Sequence, residues 1–202
     1  MATSASRSRH VFSGIVILIS MFVGMVAIVI DTMGALSSGG ITPAWLINVA
    51  SPYIACALAF IMLAVFMFSA CRRRGGHILY ALAFLLLLTA NTYTVYTYIL
   101  TALTSSAGIN ILSFLFVLVE EMMLFICMID GFTGFCIRFL SIAAVVIALA
   151  IRVVRGINWL LTTPFAIARG YTDIPYGFRM FSYVLMLFGV LLFLIKYKKK
   201  GY

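Results

Sequence analysis

Six long apolar runs decide what this chain can become, because a stretch of about 20 apolar residues is long enough to cross the hydrocarbon layer of a bilayer as a helix. The runs cover roughly residues 11–30, 44–70, 78–100, 109–130, 134–152 and 179–195 of the 202. Only 9% of the residues are charged, against roughly 25% in soluble domains. What lies between the runs is too short for a soluble domain of about 50 residues or more, so residues 1–202 are expected to form a single membrane domain. The expected fold is all-α: a polytopic integral membrane protein built as a bundle of six transmembrane helices. Turn-forming residues join the runs, with SSGG, RRRGG, SSAG and DGFTG after the first four.

Orientation follows from the basic residues, which are retained on the cytoplasmic side of short loops. With the N-terminus inside, cytoplasmic segments hold Arg7, Arg9, Arg72, Arg73, Arg74, Lys196, Lys198, Lys199 and Lys200, while the first two outer loops hold none. Both termini are therefore expected in the cytoplasm. Trp45, Tyr96, Tyr98 and Trp159 then fall at outer helix ends or in outer loops, the interfacial layer that Trp and Tyr favour. Segment 153–178 runs against the count, since Arg155 and Arg169 lie in it and Arg152 and Arg179 flank it. Within it, INWLLTTPFAIARGY (157–171) is too short to span and too apolar for a solvated loop. It reads as a short helix along the interface, or as a re-entrant turn near Pro164. Residues 11–30 follow Arg7 and Arg9 as a secretory signal would, yet exceed the about 7–15 residues of a signal core, so they are expected to persist as the first helix.

Against this background the fourth run, SFLFVLVEEMMLFICMIDG (113–131), stands out because Glu120 and Glu121 lie at its middle. Ionisable groups at that depth cost several kcal/mol unless something compensates them, and they mark functional sites by default. A rise of about 1.5 Å per residue brings Asn91, on the antiparallel third span, within about one turn of the same depth. Adjacent helical residues point about 100° apart. Glu120 shares its face with Ser113 and Cys127 and is the candidate for the bundle interior. Glu121 shares its face with Phe114, Leu118, Leu124, Phe125 and Met128 and is expected against a neighbouring helix or subunit. The outer half of the third span, NTYTVYTYIL (91–100), carries much hydroxyl and amide surface. Asn91, Tyr93, Thr94 and Tyr96 are therefore candidates, with the two glutamates, for a ligand-binding wall or an ion path. An interfacial tyrosine cluster, its threonines bonding back to their own helix, is the alternative. Asp130 and Arg138, across a tight turn, suggest a charge network that ends at the cytoplasmic face or reaches Glu121.

Several functions are excluded. The net charge of +9 gathers beside apolar runs and not along a stripe interleaved with aromatics, so no nucleic acid is expected as a partner. The four cysteines form no CxxC pair, and His10 and His77 are the only histidines. Neither a zinc site nor a bis-histidine haem is expected, and no metal or other cofactor. Small residues recur every fourth position at Ser51, Ala55 and Ala59, at Ser20 and Gly24, and at Ala144 and Ala148. Such spacing lets helix backbones approach and marks packing seams.

Glu120 and Glu121 are similar to the opening of the Glu-Glu-x-x-x-Arg motif of intramembrane CAAX-type proteases, but Phe125 stands at the arginine position. The layout of six spans in about 200 residues resembles the substrate-binding membrane subunits of modular vitamin importers. It resembles equally the polytopic input domains of bacterial signalling proteins. The two layout resemblances imply a bacterial cytoplasmic membrane, and a non-enzymatic role is expected because no nucleophile–base pair or metal set can be assembled from the intramembrane residues. The expected function is to bind or sense a small or lipid-like ligand within the bundle and act through a partner. A membrane component of a transporter or channel, and an accessory subunit of a larger complex, are the alternatives. Membrane lipids and a protein partner or second copy are the expected neighbours.

Overall fold

In lipid every backbone N–H and C=O must be satisfied within its own segment, so an apolar run folds as a helix. The computed structural model describes residues 4–37, 39–69, 76–104, 111–168 and 174–196, and these residues contain helices and turns and no strand. The helices are α1 (Ser4–Ser37), α2 (Pro43–Trp45), α3 (Ser51–Ser69), α4 (Gly76–Thr104), α5 (Ile111–Phe132), α6 (Arg138–Ala168) and α7 (Ile174–Lys196). Four stretches within them, Val11–Ser37, Ser51–Phe68, Arg138–Leu161 and Ile174–Ile195, are long and apolar enough to cross a membrane.

The six long helices close into a ring in chain order. α1 packs on α3 and α7, α3 on α4, α4 on α5, α5 on α6, and α6 on α7. Their outer faces expose large apolar side chains, among them Phe22, Ile111 and Phe139, a surface far larger than the apolar patches a water-soluble monomer tolerates. Small residues set the closest approaches. A Cβ added at Gly131 of α5 would lie 2.9 Å from the backbone nitrogen of Ala81 on α4. Ser182 of α7 donates to the Ser20 carbonyl of α1 at 2.7 Å, and a Cβ at Gly24 would come within 3.0 Å of the Ser182 hydroxyl. Ser20, Ala59, Ala144 and Ala148 are buried, whereas Ser51 is exposed.

Two elements depart from the expected spans. Segment 157–171 is not a separate interfacial or re-entrant piece: α6 continues through Pro164 to Ala168, and residues 169–171 lie outside the described residues. The entry to α3 is also irregular. Thr42 caps α2 by accepting from the Trp45 amide at 3.1 Å, with Pro43 in the first turn. A π turn over Leu46–Ala50 then joins α2 to α3. Such widened turns accommodate an extra residue and re-aim the side chains that follow, here Pro52, Tyr53 and Cys56.

The two ends of the ring differ. Where α3, α5 and α7 finish and α4 begins, Phe66, Tyr80, Phe84, Phe135 and Phe193 interlock with ring centroids 4.7–6.1 Å apart. The α5–α6 turn delivers Phe135 to this plug. Asp130, fully buried, accepts from the Ile137 amide at 2.9 Å through Oδ1, and its carbonyl accepts from the Phe135 amide at 2.8 Å. Phe135 itself has φ +64°, a left-handed conformation that costs a non-glycine residue about 1–2 kcal/mol and that burial of its ring offsets. The opposite half, between the ends of α1, α4 and α6 and the starts of α3, α5 and α7, is hollow.

Candidate functional site

The hollow half is organised by one cation. Arg152, near the middle of the 31-residue α6, is 8% exposed although a guanidinium in hydrocarbon is among the least tolerated groups. Its neighbours explain how it stays. Its Nε donates to Oε1 of Glu120, which is 1% exposed on α5. Its Nη2 donates to Oδ1 of Asn91 on α4 at 3.4 Å, and its Nη1 to the Met180 sulfur on α7 at 3.3 Å. Its Cζ lies 4.3 Å from the centre of the Tyr183 ring, also on α7, a stacked arrangement worth about 2 kcal/mol when desolvated. The Tyr183 hydroxyl reaches on to Cys56 Sγ of α3 at 2.8 Å. One side chain on α6 thus touches α4, α5 and α7, and through Tyr183 the network extends to α3.

A second layer surrounds this centre on the side of the α6–α7 connection. Arg155, one helical turn along α6, places Nη1 3.5 Å from Glu120 Oε2 and donates through Nη2 to the Tyr176 hydroxyl at 3.3 Å. Glu120 is therefore held between two arginines. Arg179 stacks its Cζ 5.4 Å from the Tyr53 ring, and the Tyr53 hydroxyl donates to Asp31 Oδ2 at 2.7 Å. Between these groups lies a cavity of about 300 Å³, to which α1, α3, α4, α5, α6 and α7 all contribute. Its walls are mainly apolar, including Met21, Met25, Ile28 and Phe60, and its charges come from Arg152, Arg155, Arg179 and Glu120.

The residues singled out by sequence divide as follows. Glu120 and Asn91 line the cavity and share Arg152 as a partner. Glu121 does not line it; the residue is part-buried beside Glu120, with Oε1 out of reach of any hydrogen-bond partner among the described residues. Tyr96 is 59% exposed on the outside of α4 and does not line the cavity. The reason is helical phase: Ala90 and Asn91 face inward, and a residue five positions beyond Asn91 has turned by about 500°, well off that face. Tyr93 and Thr94 belong to α4, but their side chains lie outside the described residues. Asp130 and Arg138 stand at either end of the α5–α6 turn, at the aromatic end of the ring and away from the cavity.

Sequence reasoning missed the cations. The basic-residue rule places Arg152, Arg155 and Arg179 at the flanks and in the interior of an outer loop, whereas all three are helical and line the cavity. A signal was available: Arg152 and Arg155 are three apart, and Tyr176, Arg179, Met180 and Tyr183 recur at helical spacing, so each set shares one helix face.

Comparison with known protein families, with curated proteins and with solved structures found no match. Fold and site define a class by themselves: an all-helical bundle with four helices long and apolar enough to cross a membrane and a charged, cavity-lining centre.

Proposed function

We propose that this is a six-span membrane protein of one domain that takes a small or lipid-like ligand into the cavity and passes its occupancy to a partner protein. The observation that carries the reading is the buried guanidinium of Arg152 at the cavity wall, in contact with side chains of α4, α5 and α7. A ligand that competes for Arg152 acts on several helices at once, which is what a sensing or receptor module requires. Both termini face the cytoplasm in this reading. Support comes from the arginines themselves: Arg152, Arg155 and Arg179 are helical and cavity-lining, so they no longer weigh against the count of basic loop residues. The cavity then lies in the outer half of the bilayer.

The test is extraction in mild detergent followed by native mass spectrometry. A small molecule should leave with the protein in a one-to-one ratio and be lost in Ala57→Phe, which fills the cavity wall. Retention of every adduct in that variant would refute the cavity as the binding place. A second reading, a transporter or channel component, is favoured by the acidic and basic groups that line an intramembrane cavity. Movement of protons or ions across liposomes holding the purified protein, abolished by Glu120→Gln, would select it.

A further inference from the structure

We infer that the ligand of this cavity is a small amphipathic anion with a single apolar tail and a carboxylate-type headgroup. The inference rests on the ligand-binding reading above and adds the charge and size of what binds. Three arginines line the cavity against one carboxylate, Glu120. Arg152 makes one strong bond, to that carboxylate. Its two Nη groups are held by weaker acceptors: a thioether sulfur at 3.3 Å and an amide oxygen at the long distance of 3.4 Å. A buried cation is stable only when its remaining donors find good acceptors, and an oxyanion in the cavity is a far better acceptor than a sulfur.

Asn91 supplies independent evidence. A guanidinium only donates, so Asn91 must turn Oδ1 toward Arg152 and present Nδ2 elsewhere. That Nδ2 is buried, with no hydrogen-bond partner among the described residues, on a side chain that is 7% exposed and lines the cavity. A buried unpaired donor is costly, and a carboxylate oxygen that reaches Nδ2 from the cavity would satisfy it. Size bounds the rest of the ligand. A volume of about 300 Å³ stands at the bottom of the range of about 300–1,000 Å³ typical of ligand pockets. One short chain or an aromatic ring fits against Met21, Met25, Ile28 and Phe60, whereas a two-tailed lipid does not. A cationic amphipath would meet like charge from three sides, and a neutral one would leave the arginines as they are.

The experiment uses the full chain in phosphatidylcholine nanodiscs and three probes with one tail: decanoate, 1-decanol and decylammonium. Decanoate should saturate at one per chain and bind at least about tenfold tighter than the other two, the effect of one charge-assisted hydrogen bond of about 1.5 kcal/mol. Arg155→Gln should remove about tenfold of decanoate affinity and leave 1-decanol unchanged, and Arg155→Lys should lose less. Arg155 is partly exposed, so its replacement leaves Glu120 paired with Arg152. Equal or tighter binding of 1-decanol or decylammonium would overturn the assignment of an anion while leaving a ligand site in place. No saturable binding of any probe, together with no co-purifying adduct, would overturn both readings. The comparison of probes on the unaltered chain decides the question even where a variant fails to fold.

Discussion

Replacing Arg152 by Met tests whether the buried cation is structural as well as functional. Met matches much of the arginine stem but leaves Glu120, 1% exposed, without the partner that its Oε1 accepts from. Breaking a buried pair from one side costs about 3–5 kcal/mol. Arg155, already 3.5 Å from Oε2, can shift toward the orphaned carboxylate and holds the loss near the lower bound, about 3 kcal/mol. Glu120→Leu orphans two arginines instead and should cost a similar amount. The double variant Glu120→Leu/Arg152→Met removes both charges and restores apolar packing. It should be less destabilised than the sum of the single variants by about 2–3 kcal/mol. For a chain of this length about 1 kcal/mol moves the midpoint by roughly 2–4 °C, so the Arg152→Met midpoint should fall by about 6–12 °C. The assay is thermal unfolding in mild detergent on a background in which Cys56, Cys71 and Cys136 are replaced by Ser, read by a thiol-reactive fluorophore that reaches Cys127 only when the bundle opens, since Cys127 is buried. Additivity of the two single effects within about 0.5 kcal/mol would refute the coupling.

Other consequences are as specific. Gly131→Ala drives a Cβ to within 2.9 Å of the Ala81 backbone and 2.8 Å of the Tyr80 ring; it should cost about 1–3 kcal/mol in the same unfolding assay. Gly34→Ala, with nothing within 4 Å, should be neutral or slightly stabilising. Phe135→Gly relieves a left-handed residue by about 1–2 kcal/mol but removes a ring packed on Phe66, Tyr80 and Phe193. Loss of such a core ring costs about 3–5 kcal/mol, so the midpoint should drop; a rise would show that strain outweighs packing. Cys136, exposed at the α5–α6 turn, reports orientation. An impermeant maleimide should label it in inside-out vesicles and not in intact cells, and the reverse would invert the proposed topology.

How much of this was legible from sequence depends on what each signal averages over. Apolar runs are long, so the helices are recognisable from composition. The glutamates were conspicuous because nothing else in their run is polar enough to hide them. The arginines were not, because the rule that basic residues mark loops treats Arg152, Arg155 and Arg179 as boundaries, and their own polarity ended the apolar run at 152. Inside a ring of helices the same polarity is compensated by Glu120, Asn91 and Tyr183, and α6 continues for a further 16 residues, to Ala168. No one-dimensional average contains that compensation, which joins residues 32 and 61 positions apart. Tyr96 of α4 shows the limit of composition in the opposite sense. Its hydroxyl is compatible with a cavity wall or with an interfacial cluster, and its outward face is that of an interfacial tyrosine.

The pairing of Glu120 with Arg152 inside the bilayer can be measured without any assay of function. Glu120 and Glu121 are the chain's only glutamates, so carboxyl-¹³C glutamate with guanidinium-¹⁵N arginine gives a simple solid-state NMR dipolar-recoupling spectrum in lipid bilayers. A carboxyl carbon within about 4 Å of a guanidinium nitrogen, the reach of an ion pair, with that signal lost in Glu120→Gln and retained in Glu121→Gln, is the result expected. A carboxyl at position 120 that shows no nearby arginine nitrogen would contradict the account at its centre.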